Sequence, residues 1–121
     1  MQEKGVNFFH LYNVTTINIS RNLLKTIDDI KIFDTLTNLN ISFNKISDIS
    51  VLGVIKTLQV LKANNNLITT ISDLKDNVNL VHLDISENKI AFEKLTLSTL
   101  RTLSSLSFLG IKGNPVNFCY L

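Results

Sequence analysis

The sequence is poor in several features that would point to particular functions, and each shortage excludes something. A single cysteine, Cys119, among 121 residues leaves no internal disulfide framework. No apolar run approaches the ~20 residues that a helix needs to cross a bilayer, so no membrane partner is expected. The opening stretch MQEKGVNFFHLYN lacks the succession of basic, apolar and small residues that marks a signal peptide. Charge of one sign is also scarce, since 12 basic residues against 10 acidic ones leave a formal +2. The basic residues are scattered, which argues against direct nucleic-acid binding. Together these shortages predict a cytoplasmic chain in a reducing compartment. Three sequons, at Asn13, Asn18 and Asn40, point the other way, toward secretion. An Asn/Ser/Thr-rich chain produces such triplets by chance, and the last two would set glycans on a sheet face.

What the sequence does have is an asparagine ladder. Asn22, Asn44, Asn66, Asn88 and Asn114 recur at intervals of 22, 22, 22 and 26 residues. Each closes a nine-residue segment: VTTINISRN, LTNLNISFN, LQVLKANNN, LVHLDISEN and LSFLGIKGN. Apolar residues hold the first, fourth and sixth places of every segment. This pattern resembles the leucine-rich repeat, in which each repeat forms one turn of a solenoid. It covers about nine tenths of the chain. The fold implied is an α/β, right-handed leucine-rich repeat solenoid of about five repeats. It has a concave parallel β-sheet and a convex side of short 3₁₀ and α-helical turns. At this length the chain is one domain. Residues 1–13 read as an N-terminal half-repeat cap, because Phe8 and Leu11 fall one period before Ile30 and Phe33. Residues 14–121 form the repeat domain, with repeats starting at 14, 36, 58, 80 and 106 and the last one incomplete or capping.

Within each repeat the period of two predicts a short strand. Leu39 and Ile41 point inward while Asn38, Asn40 and Ser42 point out. The ninth-position asparagine offers both donors and an acceptor to backbone groups that the turn would otherwise bury unpaired, so all five are expected to be structural. The return path repeats every three residues: Leu24, Ile27, Ile30, Phe33, then Ile46, Ile49, Leu52, Ile55. That spacing predicts 3₁₀ turns packing inward. The third repeat supplies Ile68, Ile71 and Leu74 and then breaks the pattern with Asn77, where Val78 is expected to substitute. In the longer fourth repeat Leu97, Leu100 and Leu103 predict one face of an α-helix.

The 22-residue period and the Gly113-Asn114-Pro115 ending, followed by Tyr120, resemble the subclass typified by the regulatory subunit of type-1 protein phosphatase. Spliceosomal A-prime protein and axonemal dynein-associated light chains are similar. The family ending continues into a further helical stretch, whereas this chain stops at Leu121, which predicts either a truncation or fragment or a partner seated on the inward face of the last strand (Leu106, Leu109, Ile111). Segments such as NKISDISVLGVIKTL also resemble bacterial internalins, which carry signal peptides and a different cap. The cysteine-clustered caps usual in extracellular relatives are absent. The resemblance therefore implies a non-catalytic scaffold for protein–protein interaction that is monomeric on its own. It would be a regulatory or targeting subunit, phosphatase-associated or of ciliary or axonemal type, in the cytoplasm, cilium or nucleus. The alternatives are a ribonucleoprotein assembly component and a secreted internalin-like adhesin.

With the register known, the outward columns can be written down. The third position reads Thr16, Asn38, Val60, His82 and Phe108, and the fifth reads Asn18, Asn40, Lys62, Asp84 and Gly110. Small polar groups thus give way to apolar, aromatic and charged ones after the second repeat. Val60, Lys62, Val81, His82, Asp84 and Phe108 are the expected partner-binding residues. Phe43, in the eighth position, joins them as an exposed aromatic, with packing along its own turn as its other role. Arg21 and Glu87 share its column and set charge at the rim.

Catalysis is not expected. His82, Asp84 and Ser86 offer the residue types of a hydrolase triad, but strand residues two apart lie ~6.6 Å apart. A triad needs contacts of ~3 Å. His10, His82 and Cys119 are too dispersed for a zinc set. Gly110-Ile111-Lys112-Gly113 lacks a phosphate-loop pattern. No cofactor or metal is implied.

Overall fold

The structure, a computed structural model, describes residues 13–91 and 93–115. Five three-residue strands line one side: β1 (Thr16–Asn18), β2 (Asn38–Asn40), β3 (Val60–Lys62), β4 (His82–Asp84) and β5 (Phe108–Gly110). They pair in sequence order as one parallel sheet. Equivalent repeat positions face one another throughout, as in Leu39 with Leu61 and Leu61 with Leu83. Strand follows strand after a return path of 3₁₀ turns at Asp28–Ile32, Ser50–Val54 and Ser72–Leu74, and in the fourth repeat after an α-helix, α1 (Lys94–Thr102). This is the leucine-rich repeat solenoid expected from the pattern.

The core is a column stacked along the solenoid axis. In the middle repeats the first, fourth and sixth positions are fully enclosed: Leu58, Leu61, Ala63, Leu80 and Leu83 are all 0% exposed. The outermost equivalents, Ile17, Ile19, Leu106, Leu109 and Ile111, are half-buried and pack against them. The return path explains its own spacing of three. Each inward apolar residue donates its N–H to the carbonyl of the one before, as Leu52 does to Ile49 (3.0 Å), Ile55 to Leu52 (3.0 Å) and Leu58 to Ile55 (3.2 Å). An i→i−3 bond of this kind is the 3₁₀ repeat, so one periodicity serves both burial and backbone pairing.

The asparagine ladder bonds coil to coil. Asn66 is 4% exposed. Its Oδ1 accepts the Ile46 N–H at 3.1 Å. Its Nδ2 donates to Ala63 O of its own coil (3.1 Å) and to Ile41 O of the preceding one (3.0 Å). Asn88 repeats this set with Ile68 N–H, Ile85 O and Ala63 O. Asn44 and Asn114 likewise reach the coil before them. Asn22 is exposed, and its Nδ2 serves carbonyls of its own repeat.

The residue before each ladder asparagine is left-handed. Arg21, Phe43, Asn65 and Glu87 have φ between 55° and 60°, and Gly113 has φ 81°. The turn keeps each of the first four N–H groups bonded to the next coil, for example Phe43 N–H to Asn64 O (3.0 Å) and Glu87 N–H to Lys112 O (2.8 Å). Four side-chain-bearing residues therefore occupy a conformation that glycine adopts without cost.

Two expectations are corrected. Val78 does not take the inward place in the third repeat, where it is 45% exposed and Asn77 is 0% exposed. The reason is local: Asn77 Nδ2 donates to Leu52 O (2.9 Å) and Ile55 O (3.0 Å) of the coil before. Its Oδ1 is buried without a partner among the described residues. In α1 Leu100 packs against the core as expected, but the buried face is shared with threonines rather than carried by the leucines alone. Thr96 and Thr99 are 6% and 2% exposed, Leu103 lies buried just past the helix end, and Leu97 is only half-buried. The threonine hydroxyls tolerate burial because they donate to Ala91 O and Leu95 O, both at 3.0 Å. The half-repeat expected over residues 1–13 lies, apart from Asn13, outside the described residues, as do His10, Val116, Cys119 and Tyr120.

Two stability measurements follow. Asn66→Leu should cost about 3 kcal/mol or more in urea denaturation, since it strands several buried backbone groups at about 1–3 kcal/mol each. Asn22→Leu, exposed at the ladder's end, should cost about 1 kcal/mol; equal losses would show that burial does not set the ladder's strength. Asn77→Ile should stabilise the chain by about 1 kcal/mol. It removes a buried unpaired oxygen, and Leu52 O and Ile55 O keep their backbone donors Ile55 N–H and Leu58 N–H. A destabilised variant would show that the two amide bonds outweigh the orphan oxygen.

Candidate functional site on the concave sheet

Because the fourth-position residue of each strand points into the core, the third and fifth positions point out, and parallel pairing aligns them in rows. One row runs Thr16, Asn38, Val60, His82, Phe108 and the other Asn18, Asn40, Lys62, Asp84, Gly110. The structure brings the expected residues of β3, β4 and β5 together. Val60 and His82 are half-buried, Val81 is 41% exposed and Phe108 45%.

Within the row, His82 and Phe108 stack face to face, with ring centroids 4.2 Å apart and planes 10° from parallel. Register alone could have suggested this, since neighbours in one column sit about 4.8 Å apart across a sheet. The contact joins both rings into one continuous surface. Stacked aromatic pairs contribute about 0.5–1.5 kcal/mol beyond burial. Nothing in the fold demands it, for Thr16 and Asn38 serve the same column elsewhere.

The fifth column shows how Asp84 is held. Its Oδ1 accepts the Ser86 backbone N–H at 3.0 Å and the Ser86 Oγ–H at 2.6 Å. Asn18 with Ser20 and Asn40 with Ser42 form the same pair of bonds. The Asn-x-Ser triplets that read as sequons are thus recurring side-chain turns at the strand exit. Lys62 is exposed and faces Asp84 in register, yet the pair makes no ion pair. Among the described residues the one ion pair is Lys56–Asp76 at 3.9 Å on the convex side, where exposure leaves it little energy.

The hydrolase-triad types are not assembled. Ser86 lies past the end of β4 and reaches Asp84 directly, so separation along the strand does not keep those two apart as expected. His82, however, is engaged with Phe108, and the serine hydroxyl donates to the carboxylate. No group of three metal-ligating side chains occurs among the described residues.

Phe43 stands apart from this patch. It is 39% exposed at the strand exit, and the Arg21 guanidinium carbon lies 4.0 Å from its ring centroid. The local role is therefore filled by a cation–π contact between neighbouring coils. A separate groove of about 450 Å³ opens on the convex side, lined in part by Val54, Asp73, Leu95 and Thr99, and shares no residue with the concave patch.

No protein-family model matches the chain, and no curated protein sequence is similar to it. Solved structures are similar to it. Internalin C2 of Listeria monocytogenes superposes with a TM-score of 0.77 at 26% identity, over 84% of this chain and 43% of that one. An internalin (inlF) of the same organism gives 0.78 at 25% identity, over 93% and 38%. The functional domain of InlJ from that organism, which includes a cysteine ladder, gives 0.67 at 28% identity, over 85% and 24%. The chain thus spans less than half the length of each. No helix among the described residues is long and apolar enough to cross a membrane.

Phe43 offers a test of local against recognition roles. Phe43→Ala should lose about 1 kcal/mol in urea denaturation, because the ring contact goes while the left-handed strain stays. Phe43→Gly should fall within about 0.5 kcal/mol of the parent, since relief of that strain offsets the lost contact. Equal losses for both would show that the backbone there carries no strain.

Proposed function

We propose that this chain is a non-catalytic protein-binding solenoid whose partner docks on the concave face over β3, β4 and β5. The observation that carries this is the exposed His82–Phe108 stack. It continues through Val60 into an apolar and aromatic strip that the core does not need. Side chains fixed on a stacked sheet lose little conformational entropy on binding, so a modest contact area converts efficiently into affinity. Val81 extends the strip, while Lys62 and Asp84 set charges of opposite sign beside it. Phe43 belongs to the rim and is assigned to local packing.

Among the kinds of protein that the sequence resembles, the likeness to Listeria internalins favours the secreted, internalin-like adhesin. It is placed ahead of the phosphatase-associated, ciliary and ribonucleoprotein readings. Fractionation of the source organism would separate them, with recovery in the medium or at the cell surface expected.

The concave assignment has its own test. The double substitution Val60→Glu with Phe108→Ala should abolish partner capture in pull-downs from the partner's source. It should move the thermal midpoint by less than about 3 °C, both sites lying outside the enclosed core. Unchanged capture by the double variant would remove the concave C-terminal patch from consideration.

A further inference from the structure

Asp84 differs from the two asparagines of its column, Asn18 and Asn40, in charge alone. Asn18 and Asn40 make the same two bonds, to Ser20 and Ser42, that Asp84 makes to Ser86. An amide oxygen is therefore sufficient for the turn, and the negative charge at this position is surplus to folding. It is also aimed. On β5 the facing residue is Gly110, and the Asp84 carboxylate leans into the space that a side chain there would fill. A Cβ on Gly110 would lie 2.6 Å from Asp84 Oδ1 and 3.4 Å from Phe108 Cε2. The missing side chain thus brings a carboxylate and an aromatic ring edge around one point. Two hydrogen bonds hold the carboxylate, and the His82 stack holds the ring.

We infer that Asp84, Phe108 and Gly110 form a subsite for an arginine side chain of the protein partner, an inference that rests on the concave reading above. The chemistry selects the ligand. A carboxylate fixed beside an aromatic ring matches a planar cation that can pair with the acid while lying on the ring. Lysine, a point charge, uses only part of it. One face of Phe108 carries His82, and the residue is still 45% exposed. The chain already builds such a contact internally, with the Arg21 guanidinium 4.0 Å from the Phe43 ring centroid. No Lys or Arg among the described residues neutralises Asp84, its register neighbour Lys62 included. Lys62 instead places a competing positive charge beside the incoming one, and so works against the subsite as a modest electrostatic filter.

Selection of a phage-displayed random dodecapeptide library on the intact 121-residue chain tests this, with enriched peptides remade and titrated by fluorescence anisotropy. Arginine-bearing peptides should emerge. Their affinity should fall about 10- to 100-fold in Asp84→Asn, the loss of one charge-assisted pair. That variant keeps the column's native turn, so its thermal midpoint should not move. Gly110→Ala, which displaces the carboxylate from its place, should weaken the same peptides. Lys62→Ala should tighten them severalfold. The subsite is overturned if arginine-bearing peptides bind Asp84→Asn as tightly as the parent. It is equally overturned if the enriched peptides lack arginine yet still depend on Val60 and Phe108, an outcome that leaves the concave reading standing. Peptides indifferent to Asp84, Val60 and Phe108 alike would overturn both.

Discussion

One side-chain amide, repeated, holds this molecule together. Each turn of the solenoid brings the backbone inward at the strand exit, where N–H and C=O groups of two adjacent coils point toward a buried asparagine. An amide is the smallest group that donates twice and accepts at once. Asn66 and Asn88 satisfy groups from their own coil and the coil before, and are nearly inaccessible as a result. Apolar stacking supplies the bulk attraction between coils, but stacking alone is indifferent to a slide of one coil on the next. The amide bonds are not. They tie a fixed position of one repeat to a fixed position of its neighbour, and the sheet's in-register pairing follows. The left-handed residue before each asparagine belongs to the same constraint, since the chain must turn sharply there while its N–H still reaches the next coil.

This explains why so much of the fold was legible. The pattern LxxLxLxxN recurs because each of its positions has a single environment, and a signal repeated five times averages out local ambiguity. Failures came where the environment was particular to one repeat. At Asn77 the polar residue looked like a lapse in the apolar period, and Val78 looked like its replacement. Two carbonyls of the preceding coil make an amide acceptable at the inward place, and they can be seen only across the coil interface. In α1 the leucines drew attention, while the buried face is shared with threonines that return their hydroxyls to the helix backbone.

The concave face was legible to a different depth. Register fixed which side chains share a row, so Val60, His82 and Phe108 could be grouped from spacing alone. Whether neighbours in a row touch depends on rotamers and ring orientation, which no periodicity encodes. The His82–Phe108 stack and the tethering of Asp84 by Ser86 are of this second kind. A signal for the latter did exist, since Asx-x-Ser recurs at the fifth and seventh places of three repeats. Read as a turn, it explains why Asn and Asp interchange there.

The same reasoning sets what the likeness to internalins can carry. In a 22-residue repeat, four positions of the strand segment and four of the return path are constrained in type by the core and the ladder. Eight constrained places out of 22, filled mostly from leucine, isoleucine, valine and asparagine, can generate much of the 25–28% identity seen. Identity at that level therefore reports the shared solenoid. It is silent about the third- and fifth-position columns, where nothing in the core restricts the choice. Recognition must be read from departures within a column, where one repeat carries chemistry that its neighbours show the fold can do without. By that criterion the informative residues are not the ladder asparagines. They are the histidine and phenylalanine standing where threonine and asparagine serve elsewhere, and the one aspartate in a turn that asparagine builds equally well.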